Sequence, residues 1–240
     1  MKIRNRIFLD QIIKIEEQII LTNKIAHYLL NVLRCKVDEQ ILIFNNDGEW
    51  LAIIKNIQSK KIIIAIDKKT RDRKNNKEIK LYFSPLKRTP NEVLIQKCTE
   101  IGITIFQPVT MEHTNISKIN TERLRLIAIE AVEQSEQLSI PKIYQTTSFI
   151  EFIKNIEKNE LVIACTVECI DVTISSILRG STHTCISILI GPEGDFSKKE
   201  INAIRTNKNI IEASLGHNIL KGETAAIVAT ALIKDSLNKC

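Results

Sequence analysis

Ile188-Leu-Ile-Gly-Pro-Glu-Gly-Asp-Phe-Ser197 and Ala213-Ser-Leu-Gly-His-Asn-Ile-Leu-Lys-Gly-Glu-Thr-Ala225 decide the reading of this chain, because each is a loop-forming run that follows an apolar strand. In the first run Ser197 and Glu200 stand at capping-box spacing, so a strand, a tight Gly-Pro-Glu-Gly turn and a helix start follow one another closely. Gly191 and Gly194 would let the backbone approach a ligand. In the second run Gly216 breaks a strand, Ile219 and Leu220 resume an apolar wall, and Gly222-Glu223-Thr224 opens a last helix rich in small residues. Two such loops, leaving neighbouring strands, would meet at one sheet edge and enclose a nucleotide-type ligand.

Outward from these runs, the second half of the chain alternates strands and helices. Ile79–Ser84 reads as a strand, and Thr89-Pro90 with Glu92 reads as an N-cap, an initial proline and a capping-box acid. That helix runs to Ile101 and stops at Gly102, and Thr104–Val109 returns as a strand. Helices from about Thr121 to Leu138 and from Ser148 follow, then apolar strands at Leu161–Cys165, Cys185–Ile190 and Ile210–Leu215 and a last helix from Glu223 to Leu237. The alternation predicts a parallel sheet covered on both faces.

Asp67–Glu78 is polar, charge-dense and without apolar period, and reads as a linker between two domains, residues 1–72 and 73–240. Before it, Gln40–Phe44, Glu49–Ile54 and Lys61–Ile66 are short β-branched runs, and Asp47-Gly48 is a hairpin signal. The first domain is therefore expected to be a small β-barrel or curled sheet, preceded by a helix over Asn23–Leu33.

With 240 residues, 44% of them hydrophobic, the chain can build one sizeable core or two smaller ones. No uninterrupted apolar run reaches the roughly 18 residues of a membrane span, and the first residues lack a signal-peptide pattern, so a cytoplasmic protein is expected. Six scattered cysteines form no Cys-x-x-Cys pair and read as reduced thiols, with no metal site expected. A formal net charge of +6 favours an anionic partner, nucleic acid first. Neither the dinucleotide fingerprint nor the Gly-Lys-Ser/Thr phosphate loop is present.

The motifs in their order resemble the RsmE family of bacterial 16S ribosomal RNA uridine-N3 methyltransferases, in the SPOUT superfamily. The likeness rests on His27–Arg34, the Phe44–Trp50 hairpin, Ile95–Gly102, Glu130–Ser135, Leu189–Gly194 and Leu215–Ala225. It implies an RNA-binding, PUA-like β-barrel followed by an α/β SPOUT domain with a deep trefoil knot. It also implies a homodimer and S-adenosylmethionine as methyl donor, with one uridine of 16S ribosomal RNA in the small subunit as target. Thr166, Ile190, Gly191, Glu193, Gly194, Leu215, Gly216, Ile219 and Leu220 then match the cofactor loops. Leu215, Ile219 and Leu220 suit plain core packing equally.

Removing the uridine N3 proton calls for a base or a cation that stabilises the anion. Glu223, Glu193 and Arg34 are the catalytic candidates, and Arg4, Arg6, His27, Arg34, Lys87, Lys97 and Lys221 the RNA-binding ones. Glu223 reads equally as a helix-start acid, and the lysines as solvated charges. The chain departs from the family by losing arginines. Ser-Glu-Arg becomes Met111-Glu-His113, Glu-Gln-Cys-Gly-Arg becomes Glu133-Gln-Ser-Glu-Gln137, and the second cofactor loop carries Asn218 and Lys221 at arginine positions. None of the replacements reproduces arginine's fork. Two other readings stay open, a SPOUT enzyme with another RNA target and a non-catalytic RNA-binding or ribosome-assembly protein.

Overall fold

β-Branched runs around a glycine turn build the first of two units, seen in a computed structural model that describes residues 3, 5–58, 60–73, 77–116, 118–179, 183 and 185–238. This unit comprises Met1–Asn75 with Val132–Ile140, and the other comprises Asn76–Ala131 with Pro141–Cys240. The first contains β1 (Arg6–Phe8), β2 (Gln18–Leu21), α1 (Asn23–His27), β3 (Gln40–Asn45), β4 (Gly48–Gln58) and β5 (Lys61–Asp72). Its five strands lie in the order β1-β3-β4-β5-β2, antiparallel except for the β1–β3 pair. Three register shifts between β4 and β5 bend the sheet around a core in which Ile41, Ile43, Ile54, Ile62 and Ile64 are wholly buried. Each such side chain contributes about 1.5–3 kcal/mol through burial.

Two sequence expectations change here. The charged stretch from Asp67 is not all linker, since β5 continues to Asp72 and pairs Lys68, Lys69, Arg71 and Asp72 with Leu51, Trp50, Glu49 and Gly48. Residues 67–72 are all exposed, so the strand carries no apolar alternation for a sequence reading to detect. The expected helix over Asn23–Leu33 divides into α1 and a π-helical turn at Tyr28–Val32, after which Arg34 takes a positive φ of 55°.

Arg6 ties β1 into this unit. Its Nε donates to Glu49 at 2.7 Å and its Nη1 to the carbonyl of Val132 at 2.9 Å, while Nη2 donates to the carbonyl of Gln137. The guanidinium also sits 3.6 Å from the centre of the Phe44 ring. The Phe8 N–H donates to Glu133 at 2.9 Å and Arg71 to the Glu136 carbonyl at 2.9 Å, which draws Val132–Ile140 into the first unit.

The second unit holds β6 (Ile79–Phe83), α2 (Arg88–Ile101), β7 (Ile105–Thr110), α3 (Thr121–Gln134, its last turn counted with the first unit), β8 (Lys142–Ile143) and β9 (Thr147–Ser148). After these come α4 (Phe149–Asn155), β10 (Glu160–Cys165), α5 (Ile174–Leu178), β11 (Cys185–Ile190), α6 (Lys198–Thr206), β12 (Ile210–Ala213) and α7 (Gly222–Asn238). The strands run parallel in the order β12-β10-β11-β6-β7-β8, with β9 beside β7. The chain thus leaves the edge strand β12 and returns as α7 to pack on α2, α5 and β11. One sheet face packs on α2, α5 and α7 through Leu94, Ile174, Ala226 and Ile233, and the other on α4 and α6 through Phe152, Ile201 and Ile204.

Helix starts differ in one place. Ser148 and Ser197 both form capping boxes, with Glu151 and Glu200. Thr89, expected as a cap, lies inside α2, which begins after Lys87. Glu92 instead binds Arg88 at 2.9 Å and Arg123 of α3. At the amino end of the sheet the buried Glu160 accepts from Tyr82 at 3.0 Å and from Ser187, and faces Lys80 at 3.6 Å, so that buried charge is fully partnered.

Candidate functional site

Loops at the carboxyl ends of β10 and β11 enclose a cavity of about 420 Å³, where ligands of open parallel sheets bind. Its wall is Cys165–Val167 after β10, Ile190–Glu193 and Asp195 after β11, and Leu215–Glu223 after β12, closed by Pro90 and Ala225. Of the residues expected to hold the cofactor, Thr166, Ile190, Gly191, Glu193, Leu215, Gly216, Ile219 and Leu220 are brought together here. Gly194 is not in the wall. A Cβ built on it would lie 3.3 Å from the Cβ of His113, so its lack of a side chain serves loop packing.

Gly191 has a packing reason as well. A Cβ there would come within 2.8 Å of the Phe196 ring, so its smallness makes room for a buried phenylalanine while its backbone lines the cavity. Gly216 is glycine for another reason, a φ of +110° that a side chain rarely tolerates, with open space where its Cβ would be. The Gly216 N–H donates to Ser214 at 3.2 Å, and the Ser214 N–H to the Val172 carbonyl at 2.7 Å, which anchors the start of the second loop.

The wall combines apolar and polar groups. Ile190 is buried, Leu215 and Leu220 are half-buried against the core, and Ile219 is 81% exposed at the rim. Glu193, Asp195 and Glu223 outnumber the one lysine, Lys221, so the lining favours a cationic ligand. Among the described residues Glu193, His217, Lys221 and Glu223 make no side-chain hydrogen bond or ion pair, which leaves them available. Thr166 is different. Its hydroxyl donates to Glu212 at 2.9 Å, and Glu212 is held by Arg205 at 2.7 Å. Burial pushes the Cys165 thiol up to about 12, so it stays protonated and is no nucleophile.

The remaining candidates scatter. Lys87 lines a small cleft beside the pocket with His113, Pro192 and Glu193. Lys97 is on α2 and pairs with Glu100 at 2.9 Å. His27 and Arg34 are exposed on the first unit. Arg6 does not belong to an RNA-facing set, being 6% exposed with its guanidinium committed to Glu49, two carbonyls and Phe44. Arg4 lies outside the described residues. Asp195, His217 and Pro90 were missed as wall residues, although the first two sit inside the quoted loops and proximity along the chain could have found them.

The chain matches the RNA methyltransferase domain family over residues 73–234 and the RNA methyltransferase PUA domain family over residues 21–67. It is 32% identical over 210 residues to ribosomal RNA small subunit methyltransferase E of Rickettsia conorii, covering 87% of this chain and 86% of that one. The same-named protein of Buchnera aphidicola subsp. Schizaphis graminum is 31% identical over 247 residues, covering 95% and 94%. Among solved structures, ribosomal RNA small subunit methyltransferase E from Neisseria gonorrhoeae, bound to S-adenosyl methionine, superposes with a TM-score of 0.84 over 96% of this chain and 97% of that one. At 23% identity that likeness speaks to the fold alone.

Proposed function

The chain belongs to the ribosomal RNA small subunit methyltransferase E family, and on that premise we propose that it transfers a methyl group from S-adenosylmethionine to N3 of one uridine in 16S ribosomal RNA, within the small subunit. The observation that carries this reading is the cavity at the carboxyl ends of β10 and β11. At about 420 Å³ it falls in the usual range of small-molecule sites, roughly 300–1,000 Å³. Ile190, Leu215 and Leu220 offer apolar surface to an adenine, and the loop backbone offers donors and acceptors for its edge. Three carboxylates against one ammonium suit a ligand that carries a sulfonium.

S-Adenosylmethionine, when bound, supplies a methyl group already activated by the sulfonium charge. The protein's part is to position the uridine and deal with the N3 proton. Glu193 and Glu223 are the proton acceptors in this reading, both on the cavity wall and without side-chain partners among the described residues. Arg34, His27, Lys87, Lys97 and Lys221 are the RNA contacts, and Arg34 is also a candidate for stabilising the uridine anion. Residues 1–72 act as the RNA-binding barrel and residues 73–240 as the methyltransferase domain.

Two further parts of the reading rest on topology and exposure. The return of α7 from the edge strand onto α2 and α5 supports a trefoil knot in the second unit. Ile219 and Val167, both exposed on the pocket wall, are apolar surface of the kind that a second subunit would cover, and a homodimer belongs to this reading. No helix among the described residues is long and apolar enough to cross a membrane, and a ribosomal substrate supports a cytoplasmic location in this reading.

Incubating the protein with labelled S-adenosylmethionine and unmodified small subunits, followed by nucleoside mass spectrometry, tests the whole reading. N3-methyluridine at one site is the expected product. A methylated ribose or another base would move the target, and no transfer to competent subunits would favour a binding or assembly role.

A further inference from the structure

Met111-Glu-His113 follows β7, and its histidine has no part in the function proposed above. The structure gives the histidine a position of its own. His113 Nδ1 lies 3.0 Å from the carbonyl oxygen of Gly194 and 2.9 Å from that of Asp195. Carbonyls only accept, so Nδ1 carries the hydrogen and shares it between them. These two carbonyls bracket Asp195, whose φ of +58° is unfavourable for a residue with a side chain. Gly194 presses against the same histidine, leaving no room for a Cβ without displacement.

The neighbours of His113 complete a frame. The Glu112 N–H donates to Glu200 at 2.9 Å, and Glu200 also accepts from the Ser197 N–H at 2.8 Å, 6% exposed in its capping box. Thr114 accepts from the Met111 N–H at 2.8 Å and shares a 2.8 Å bond with Ser84, whose own N–H donates to the Ile190 carbonyl at 3.0 Å. The turn after β7 is therefore tied to the beginning, middle and end of the loop over residues 190–197.

We propose that His113 is a positioning residue, the clamp that holds Gly194 and Asp195 so that the first wall of the cofactor pocket is formed before the cofactor arrives. The proposal rests on the reading of that pocket as the S-adenosylmethionine site. Asp195 lines the pocket and His113 does not, so the effect is exerted through the loop. Preforming a loop improves affinity by removing the entropy cost of ordering it on binding.

The charge state of the ring modulates the clamp. The carbonyls of Asp195 and Gly194 raise its pKa above the ordinary histidine value, with Glu112 and Glu200 acting in the same direction. Lys87 and Glu193 line the cleft that His113 also faces. A raised folded value means that the ionic contribution is fully present below the ordinary value of about 6.5 and fades as pH rises through the higher folded value, while the neutral ring keeps one N–H to donate.

His113→Phe keeps a ring and loses the donor, and His113→Asn keeps a donor on a smaller group. The full-length protein without ligand is first compared by hydrogen exchange, then titrated with S-adenosylmethionine by calorimetry at pH 6 and pH 8.5. The Phe variant is expected to exchange the amides of residues 193–197 about tenfold faster and to bind about fivefold more weakly, with Asn within about twofold of the native protein. The native protein is also expected to lose affinity relative to Asn as pH rises, a ratio that cancels titration of the ligand's amine near pH 8. Should Phe not fold, His113→Ala makes the same comparison. Native exchange in the Phe or Ala variant, or loosening by Asn equal to theirs, overturns the clamp. Failure of the native protein to bind S-adenosylmethionine would overturn the pocket reading, and the ligand-free exchange would still decide the clamp.

Discussion

The first unit has the larger cavity and the second has the better site. A cavity of about 780 Å³ in the first is lined by Arg6, Glu49, Thr70, Arg71, Glu133 and Glu136 among others, against about 420 Å³ in the second. Yet the polar groups of the larger one already serve each other. Arg6 binds Glu49, Thr70 donates to Glu49 at 3.0 Å, and Glu133 accepts from the backbone of Phe8. In the smaller cavity Glu193, Lys221 and Glu223 have no such partners among the described residues, and Gly216 holds a conformation that only glycine adopts readily. Volume measures room, whereas unpartnered polar groups and specialised backbone measure readiness for a ligand.

The contrast breaks most visibly at Arg6. Arg6→Met takes the nearest cation from the buried Glu49 carboxylate, which keeps Thr70 and, at 3.6 Å, Arg71, and should cost the first unit about 3 kcal/mol in denaturant unfolding. S-Adenosylmethionine affinity should remain within about twofold in the folded variant, well below the tenfold that 1.4 kcal/mol represents. A comparable loss of affinity would mean that the two regions are not separable.

Asn91 gives the next effect. Its side chain accepts from the Leu86 N–H at 3.0 Å and donates to the Leu86 carbonyl at 2.6 Å, and Leu86 packs where a Cβ on Gly222 would be. Asn91→Leu leaves both backbone groups unpaired in a buried place and should lower stability by about 2 kcal/mol. Because Gly222 begins α7 beside the pocket, cofactor affinity should fall as well, as calorimetry would register.

Gly216→Val acts on the second unit. A β-branched residue at that φ costs about 1–2 kcal/mol, and the expected result is a roughly tenfold or greater rise in the dissociation constant for S-adenosylmethionine. The thermal transition of the first unit should stay in place.

Glu92 gives the smallest effect. Its hydrogen bonds to Arg123 and Arg88 hold the carboxyl down to about 2, well below its ordinary value. A depressed folded value contributes stability above the unfolded pKa that is lost as pH falls through the folded one, so the window lies between about 4.5 and 2. NMR titration should place its midpoint near the lower figure, and Arg123→Gln should move it upward.

What the sequence revealed follows from where apolar pattern was strong. β11 is buried along its whole length and reads as a strand without ambiguity, and the Ser197–Glu200 capping box is a local signal that the structure repeats. The end of β5 was illegible because all its residues from Asp67 are exposed, and the split after His27 was illegible because Tyr28–Val32 carries no glycine or proline to mark a break. Within the site, the loops were recognisable as a motif while the reasons for their glycines were not. Phe196 behind Gly191 and His113 behind Gly194 are tertiary neighbours that no spacing announces. Arg6 misled for the same reason, since a basic residue near a terminus looks solvated until Glu49, distant in sequence, is seen beside it.

Hydrogen exchange of the native protein with and without S-adenosylmethionine decides which of the two cavities receives the ligand. Slowed exchange is expected over residues 190–195 and 215–223, with residues 5–8, 70–71 and 133–136 around the larger cavity unchanged. Protection around the larger cavity, with the loops after β11 and β12 unaffected, would contradict it.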